Sequence, residues 1–171
     1  MKTLWKYAAA LCLVAGSSAI AYQKGASTRS SYTDENYGFS IETPRYPGAG
    51  PRTPGMVLMV PGPPSKGFAP NLNITVQDVA TTTKDYLEMS LGQFPKLGWK
   101  VNTHRELKVS GRDAIEIDYE GEAKPGQKMH FLAVAVIEKD RVILATATVL
   151  AADFAEVEAE LRASLASLKL K

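Results

Sequence analysis

Cysteine is nearly absent from this 171-residue chain: the only one, Cys12, lies in its first stretch. Beyond it the chain can form no disulfide, thiol nucleophile or thiolate zinc site. Histidine is as scarce, with only His104 and His130. No G-x-S-x-G, G-x-x-x-x-G-K-[ST], H-E-x-x-H or C-x-x-C arrangement occurs. Pro61-Gly62-Pro63-Pro64-Ser65-Lys66-Gly67 has glycines and a lysine, but not the spacing of a phosphate loop. Without these arrangements the sequence offers no activated nucleophile. A long apolar run is missing too. A permanent transmembrane helix needs about 20 strongly apolar residues. The stretch from Tyr7 to Ala21 is shorter, and Gly16-Ser17-Ser18 interrupts it.

That stretch has another reading. Lys2 and Lys6 precede it, and Ala19-Ile20-Ala21 closes it as an A-x-A cleavage site. Residues 1–21 are therefore predicted to be a cleaved secretory signal peptide, leaving a periplasmic or extracellular protein. Leu11 stands where lipoprotein signals place a small residue before the modified cysteine, so no lipid or other stable membrane anchor is expected. The chain has 20 basic and 18 acidic side chains, and losing Lys2 and Lys6 leaves 18 against 18. A neutral domain without a basic cluster is not expected to bind nucleic acid.

Residues 22–35 are polar and small and are predicted to be a flexible leader. Residues 36–171 are predicted to be one α+β domain. Tyr37-Gly38-Phe39-Ser40-Ile41-Glu42-Thr43-Pro44 alternates and then stops at proline, as a strand does. Residues 44–70 hold eight of the ten prolines, interrupted by the apolar Met56–Val60. This segment either covers a sheet edge or binds a partner. Asn71–Val76 alternates; its Asn73-Ile74-Thr75 sequon is read as a chance match. Thr82 or Thr83 caps a helix reaching Phe94, with Leu87, Leu91 and Phe94 on the buried face. Four strands follow, at 99–108, 113–120, 128–137 and 141–149. The last two are apolar on both faces, as in a doubly covered sheet. Asp153 and Glu156 resemble a capping box for a final helix, which buries Phe154, Val157, Leu161, Leu165 and Leu168.

This order of parts resembles the PsbP-like family, including exported bacterial envelope proteins similar to DcrB. Tyr37-Gly38-Phe39-Ser40-Ile41-Glu42-Thr43-Pro44 carries the resemblance best. The capped helix near Thr83, the Ser110-Gly111-Arg112 turn, the two long apolar strands and the final helix to Ser167-Leu168 extend it over residues 36–170. The resemblance implies an α-β-α sandwich with a central antiparallel sheet. It also implies a protein that acts by binding, not catalysis. Relatives include extrinsic photosystem II subunits and cytoplasmic chaperones of type VI effectors; the signal peptide argues against the latter role.

One constellation follows from register. A three-residue loop at Ser110-Gly111-Arg112 places Leu107 opposite Ile115 and His104 opposite Asp118. A five-residue loop at 122–126 places Asp118 opposite His130. Both histidines then flank one carboxylate in a row, with Glu106 and Glu120 nearby. Imidazole and carboxylate suit zinc or copper, so His104, Asp118 and His130 are the candidate metal ligands. A solvated polar face of cross-strand hydrogen bonds is the plainer reading. Glu116, Asp118, Glu120 and Glu122 lie on a straight strand, which spaces them poorly for calcium. The sequence thus predicts a non-enzymatic, cofactor-free accessory or binding protein of the cell envelope with a protein partner. The alternative is a small-ligand or divalent-metal binder.

Overall fold

The strands that are apolar on both faces decide the architecture. In the computed structural model, which describes residues 29–46 and 56–171, they lie at the centre of a sheet covered on each side. β3 (Met56–Pro61), β4 (Asn71–Gln77), β5 (Lys100–Val109), β6 (Arg112–Lys124), β7 (Gln127–Ile137) and β8 (Val142–Leu150) form one antiparallel sheet. Its order is β3-β4-β8-β7-β6-β5. Every residue of β8 is buried, as are Met129 to Val136 of β7. The predicted signal peptide lies outside the described residues.

Alternation sends each strand's side chains to two separate cores. On one face, Ile115, Ile117, Tyr119, Phe131 and Leu144 meet helix α1 (Thr83–Gln93) and the 3₁₀ turn Phe94–Leu97. On the other, Leu132, Val134, Ile143 and Ala145 meet Leu161, Leu165 and Leu168 of helix α2 (Phe154–Ala166) and the residues after it. A small sheet joins this second core. It consists of β1 (Ser31–Asp34), β2 (Phe39–Glu42) and β9 (Lys169–Leu170), in the order β1-β2-β9. The result is the α-β-α sandwich with a central antiparallel sheet.

Three local readings change. Strand β1 falls inside the stretch read as leader, and Arg29 ahead of it is also fixed. Asp34 explains the strand: its Oδ1 accepts from the Asn36 and Tyr37 amides, both at 3.0 Å, turning the chain into β2. Gly38 completes the turn at φ 68°, a conformation glycine adopts without steric cost. The buried face of α1 is rotated by one residue: Tyr86 is its buried anchor, with Phe94 beyond it, while Leu87 and Leu91 are half-buried. Thr82 caps this helix, accepting from the Asp85 amide at 3.1 Å. Asp153 does not cap α2 through its side chain; its carboxylate takes the Lys66 ammonium at 2.6 Å instead. Asn73 of the sequon is 4% exposed and donates to Asn71 Oδ1, so it is closed to glycosylation.

Buried and half-buried tyrosines in the two cores carry a prediction. Burial raises the Tyr119 phenol well above 10, reinforced by Tyr86, and the hydroxyl has no hydrogen-bond partner. Burial pushes Tyr86 up to about 12, against the opposing hydrogen bond to Gln77. It pushes Tyr46 up to about 12 as well, with Glu160 adding to the effect. The folded protein therefore holds these protons more tightly than the unfolded chain, whose tyrosines ionise near 10. Their contribution to stability is complete below pH 10 and is lost as pH rises through 12. Melting scans above pH 10 should show Tm falling, with the tyrosinate absorbance of these three, out of seven tyrosines in the chain, appearing at about 295 nm only together with unfolding. Full ionisation of these tyrosines in a still-folded protein would contradict this.

Candidate functional site

The polar side chains that converge in this fold do so on the α2 face of β6 and β7. Their placement rests on two hairpins. The β5–β6 turn is Ser110-Gly111, two residues long, with φ of 49° and 80°. Two positive φ angles define a type I′ turn, the one whose twist matches paired strands. Leu107 therefore faces Ala114, and His104 faces Ile117. The expected three-residue loop is one residue too long, and a one-residue slip reverses the face of every side chain. His104 is thus exposed on the α1 face and takes no part in the predicted row.

Asn102 takes its place. The register shifts between Val101 and Thr103, leaving Asn102 as the extra residue of a bulge. Its amide donates to Asp118 Oδ1 at 3.0 Å and to Glu120 Oε1 at 3.3 Å. Nothing in the local sequence marks a bulge there.

The β6–β7 connection is also tighter than the five-residue loop predicts. Lys124 pairs with Gln127 across Pro125-Gly126, and a bulge lies between Glu122 and Lys124. His130 faces Glu120, and Asp118 faces Leu132. This shift is two residues, so the face is kept and Asp118 and His130 still meet on a diagonal. His130 Nε2 lies 2.9 Å from Asp118 Oδ1, and Nδ1 lies 3.2 Å from Glu120 Oε1. Nε2 is buried and makes no aligned hydrogen bond, so the contact with Asp118 is one of proximity. Phe154, the first residue of α2, lies flat on the imidazole, with centroids 3.4 Å apart and planes at 9°.

The dominant member of the cluster is Arg162, on α2. Its Nη2 donates to Asp118 Oδ2 at 2.8 Å, its Nη1 to Glu116 Oε1 at 3.3 Å and its Nε to Glu158 Oε1 at 2.7 Å. Burial lowers the guanidinium pKa, but the hydrogen bonds to Glu158 and Asp118 outweigh it and hold it above its usual value. Glu116 is also reached by Arg105 from β5 at 2.9 Å. Only the i,i+4 pair Glu158–Arg162 is visible as sequence spacing. The reach across to β6 depends on where α2 packs.

A second ion pair fixes α2 from the other side. Arg29 grips Glu160 with Nε and Nη2 at 3.1 and 3.0 Å, and the Arg45 amide donates to the same carboxylate at 3.2 Å. The Arg29 hydrogen bond is the main reason that the Glu160 carboxyl is held below its ordinary range.

Chemically, this arrangement is a strut. Asp118 and Glu116 are both engaged by guanidinium, and His130 is covered by Phe154. Of the three predicted metal ligands, the fold brings Asp118 and His130 together and sends His104 to the opposite face. Among the described residues, no group of three or more His, Cys, Asp or Glu side chains is placed to hold a metal ion. The described helices include none long and apolar enough to cross a membrane.

Comparison with known proteins places this architecture. No curated protein matches the chain in sequence. Among solved structures, cyanobacterial PsbP (CyanoP) from Synechocystis sp. PCC 6803 is similar, with a TM-score of 0.61 at 13% identity, over 88% of this chain and 96% of that one. LpqN of Mycobacterium tuberculosis, described as involved in cell envelope biogenesis, gives 0.62 at 12% identity, over 84% and 91%. PA94 from Pseudomonas aeruginosa gives 0.56 at 17% identity, over 88% and 87%. These likenesses establish the PsbP-like fold. The sequence profile of DcrB matches residues 56–167, which run from β3 to the end of α2 and include every member of the Arg162 cluster. The chain belongs to the DcrB family.

Proposed function

We propose that this chain is an exported, non-enzymatic accessory protein of the bacterial cell envelope that acts by contact with another protein. DcrB membership across residues 56–167 is the observation that carries this reading. The Arg162 cluster supports it, because its polar groups hold α2 to the sheet and leave no paired nucleophile and base open to a substrate. Export follows from the predicted signal peptide, with cleavage after Ala21.

The contact element we favour is the proline-rich turn between β3 and β4. Ser65 and Phe68 exchange backbone hydrogen bonds at 2.8 and 2.9 Å, and Lys66 and Gly67 turn the chain at φ 50° and 78°. Pro64, Ser65, Lys66 and Gly67 are consecutive and exposed. Prolines and paired backbone pre-organise this display, which reduces the ordering cost of binding. Within the same proline-rich segment β3 is less suitable, being an integral strand with Leu58, Met59 and Val60 buried.

Capture from native-host envelope extract tests the turn. Replacing Pro63, Pro64 and Lys66 by glycine should reduce recovery of the partner by about tenfold, the loss of roughly 1.4 kcal/mol, while Tm stays near that of the parent. Undiminished recovery with the replaced turn would remove it from the interface.

A further inference from the structure

We propose that one end of the sandwich docks reversibly on an anionic lipid bilayer, through Leu97 and the side chains of Lys96, Lys100, Lys124 and Lys128. This goes beyond the protein-contact reading and does not depend on it.

Leu97 is the one large apolar side chain exposed among the described residues, at 53%. It is held firmly on its turn. Phe94 at the start of that turn is buried, the Trp99 amide donates back to Phe94 O at 2.8 Å, and Gly98 closes the turn at φ 71°. Lys96 precedes Leu97 and Lys100 begins β5; both are exposed. Strand register brings the other two lysines to the same end. Lys100 pairs with Glu120 on β6, His130 faces Glu120 from β7, and Lys128 lies two residues further along. With strands about 4.8 Å apart and residues about 3.3 Å along each, Lys100 and Lys128 are roughly 12 Å apart. Lys124 sits at the hairpin tip, opposite Gln127.

Of the six described lysines without an ion-pair partner, these four share one end of the sheet; Lys139 and Lys169 lie elsewhere. Lys66, Lys84, Lys108 and Lys171 each pair with a carboxylate. Lys96, Lys100, Lys124 and Lys128 pair with no described carboxylate within the same reach. Among the acids near them, Glu120 faces Lys100 but is engaged by Asn102 and His130, and Glu122, directly opposite Lys128, is the remaining opposing charge. A chain that is neutral after signal cleavage thus carries an excess of lysine over carboxylate at the end where its apolar side chain protrudes. Lysines around an exposed leucine suit a bilayer interface: the ammonium groups meet lipid phosphates while the leucine enters the acyl boundary. An acidic protein would use the lysines without needing Leu97.

Vesicle co-sedimentation tests this, with protein as its expressing host processes it, so that all variants share one N-terminal segment. Phosphatidylcholine vesicles with about 30 mol % phosphatidylglycerol should retain the protein at low salt, and pure phosphatidylcholine should not. High salt should release it. Each lysine near the surface contributes a factor of about five, so K96E/K124E/K128E should weaken partitioning more than about a hundredfold. L97E should weaken it as well. K84E and K139E, on α1 and in the β7–β8 turn, are the controls and should leave it unchanged, and thermal melts confirm that each variant is folded. No retention of the parent protein on anionic vesicles overturns the proposal. So does retention that survives both the triple variant and L97E. Lysine-dependent binding to polyglutamate without vesicle binding also overturns it, in favour of an acidic protein partner.

Discussion

Gly121→Ala should cost the protein roughly 3 kcal/mol, lowering Tm by about 6–12 °C. In most strands this exchange is favourable, because alanine loses less backbone freedom than glycine. Here a Cβ would fall inside the van der Waals envelope of the Trp99 indole, with Cγ and Nε1 at 2.5 Å. The indole cannot move aside. It stacks on Phe131 at 5.3 Å and on Tyr119 at 5.7 Å, and Tyr119 is itself stacked by Phe94 and Phe131 at 4.6 and 4.7 Å. The glycine is what lets the indole lie on the backbone of β6. Two measurements decide the matter. Gly121→Ala should melt early, and adding Trp99→Leu to it should cost less than Trp99→Leu costs the parent, because the clash is then gone. A Tm within about 1 °C of the parent for Gly121→Ala would show that the stack is loose.

Arg162→Met should destabilise by about 2 kcal/mol. Removing one partner of a fully buried ion pair costs about 3–5 kcal/mol because the other charge is stranded. Arg162 is 38% exposed on its side chain, so water screens part of that loss. The stranded group is Asp118, with a side chain 9% exposed. Asp118→Asn in the Arg162→Met background should therefore recover stability, although Asp118→Asn alone destabilises. The cycle should show a coupling of about 1–2 kcal/mol. Additive effects would mean that the guanidinium merely covers the sheet and α2 is held by Leu161 and Leu165 alone.

Much of this fold is legible in the sequence where burial on two faces enforces a pattern. β4 and β6 to β8 follow from apolar alternation and from continuous apolar runs, and α2 follows from Leu161, Leu165 and Leu168 at helical spacing. What is not legible depends on single backbone angles. Ser110 at positive φ turns a three-residue loop into a two-residue one and sends His104 to the opposite face. The Asn102 bulge then supplies a ligand to Asp118 that no spacing rule indicates. β1 has little apolar content; the Asp34 side chain forms it by turning the chain, a local hydrogen-bond effect. For the candidate site, the sequence identifies Asp118 and His130 as neighbours because a two-residue slip keeps the face. It misses Arg162 as their organiser, because that contact is made between elements 44 residues apart.

The Leu97–lysine surface and the proline-rich turn lie at one end of the sandwich. Asn71, where the turn rejoins the sheet, is level with Thr148, Phe131 and Tyr119 across the strands. A lipid-docked domain would hold Ser65 close to the membrane and to the proteins embedded in it.

Site-specific photo-crosslinking in the living host tests the central claim, an exported envelope protein that works by contact. One photoreactive residue replaces Ser65 at the exposed turn, and another, in a separate strain, replaces Lys139 at the far end of the sheet. The account predicts an illumination-dependent adduct with an envelope protein from position 65 alone, on a chain whose mass begins at Tyr22. The same adducts from both positions, no adduct from position 65, or an uncleaved chain in the cytoplasm would contradict it.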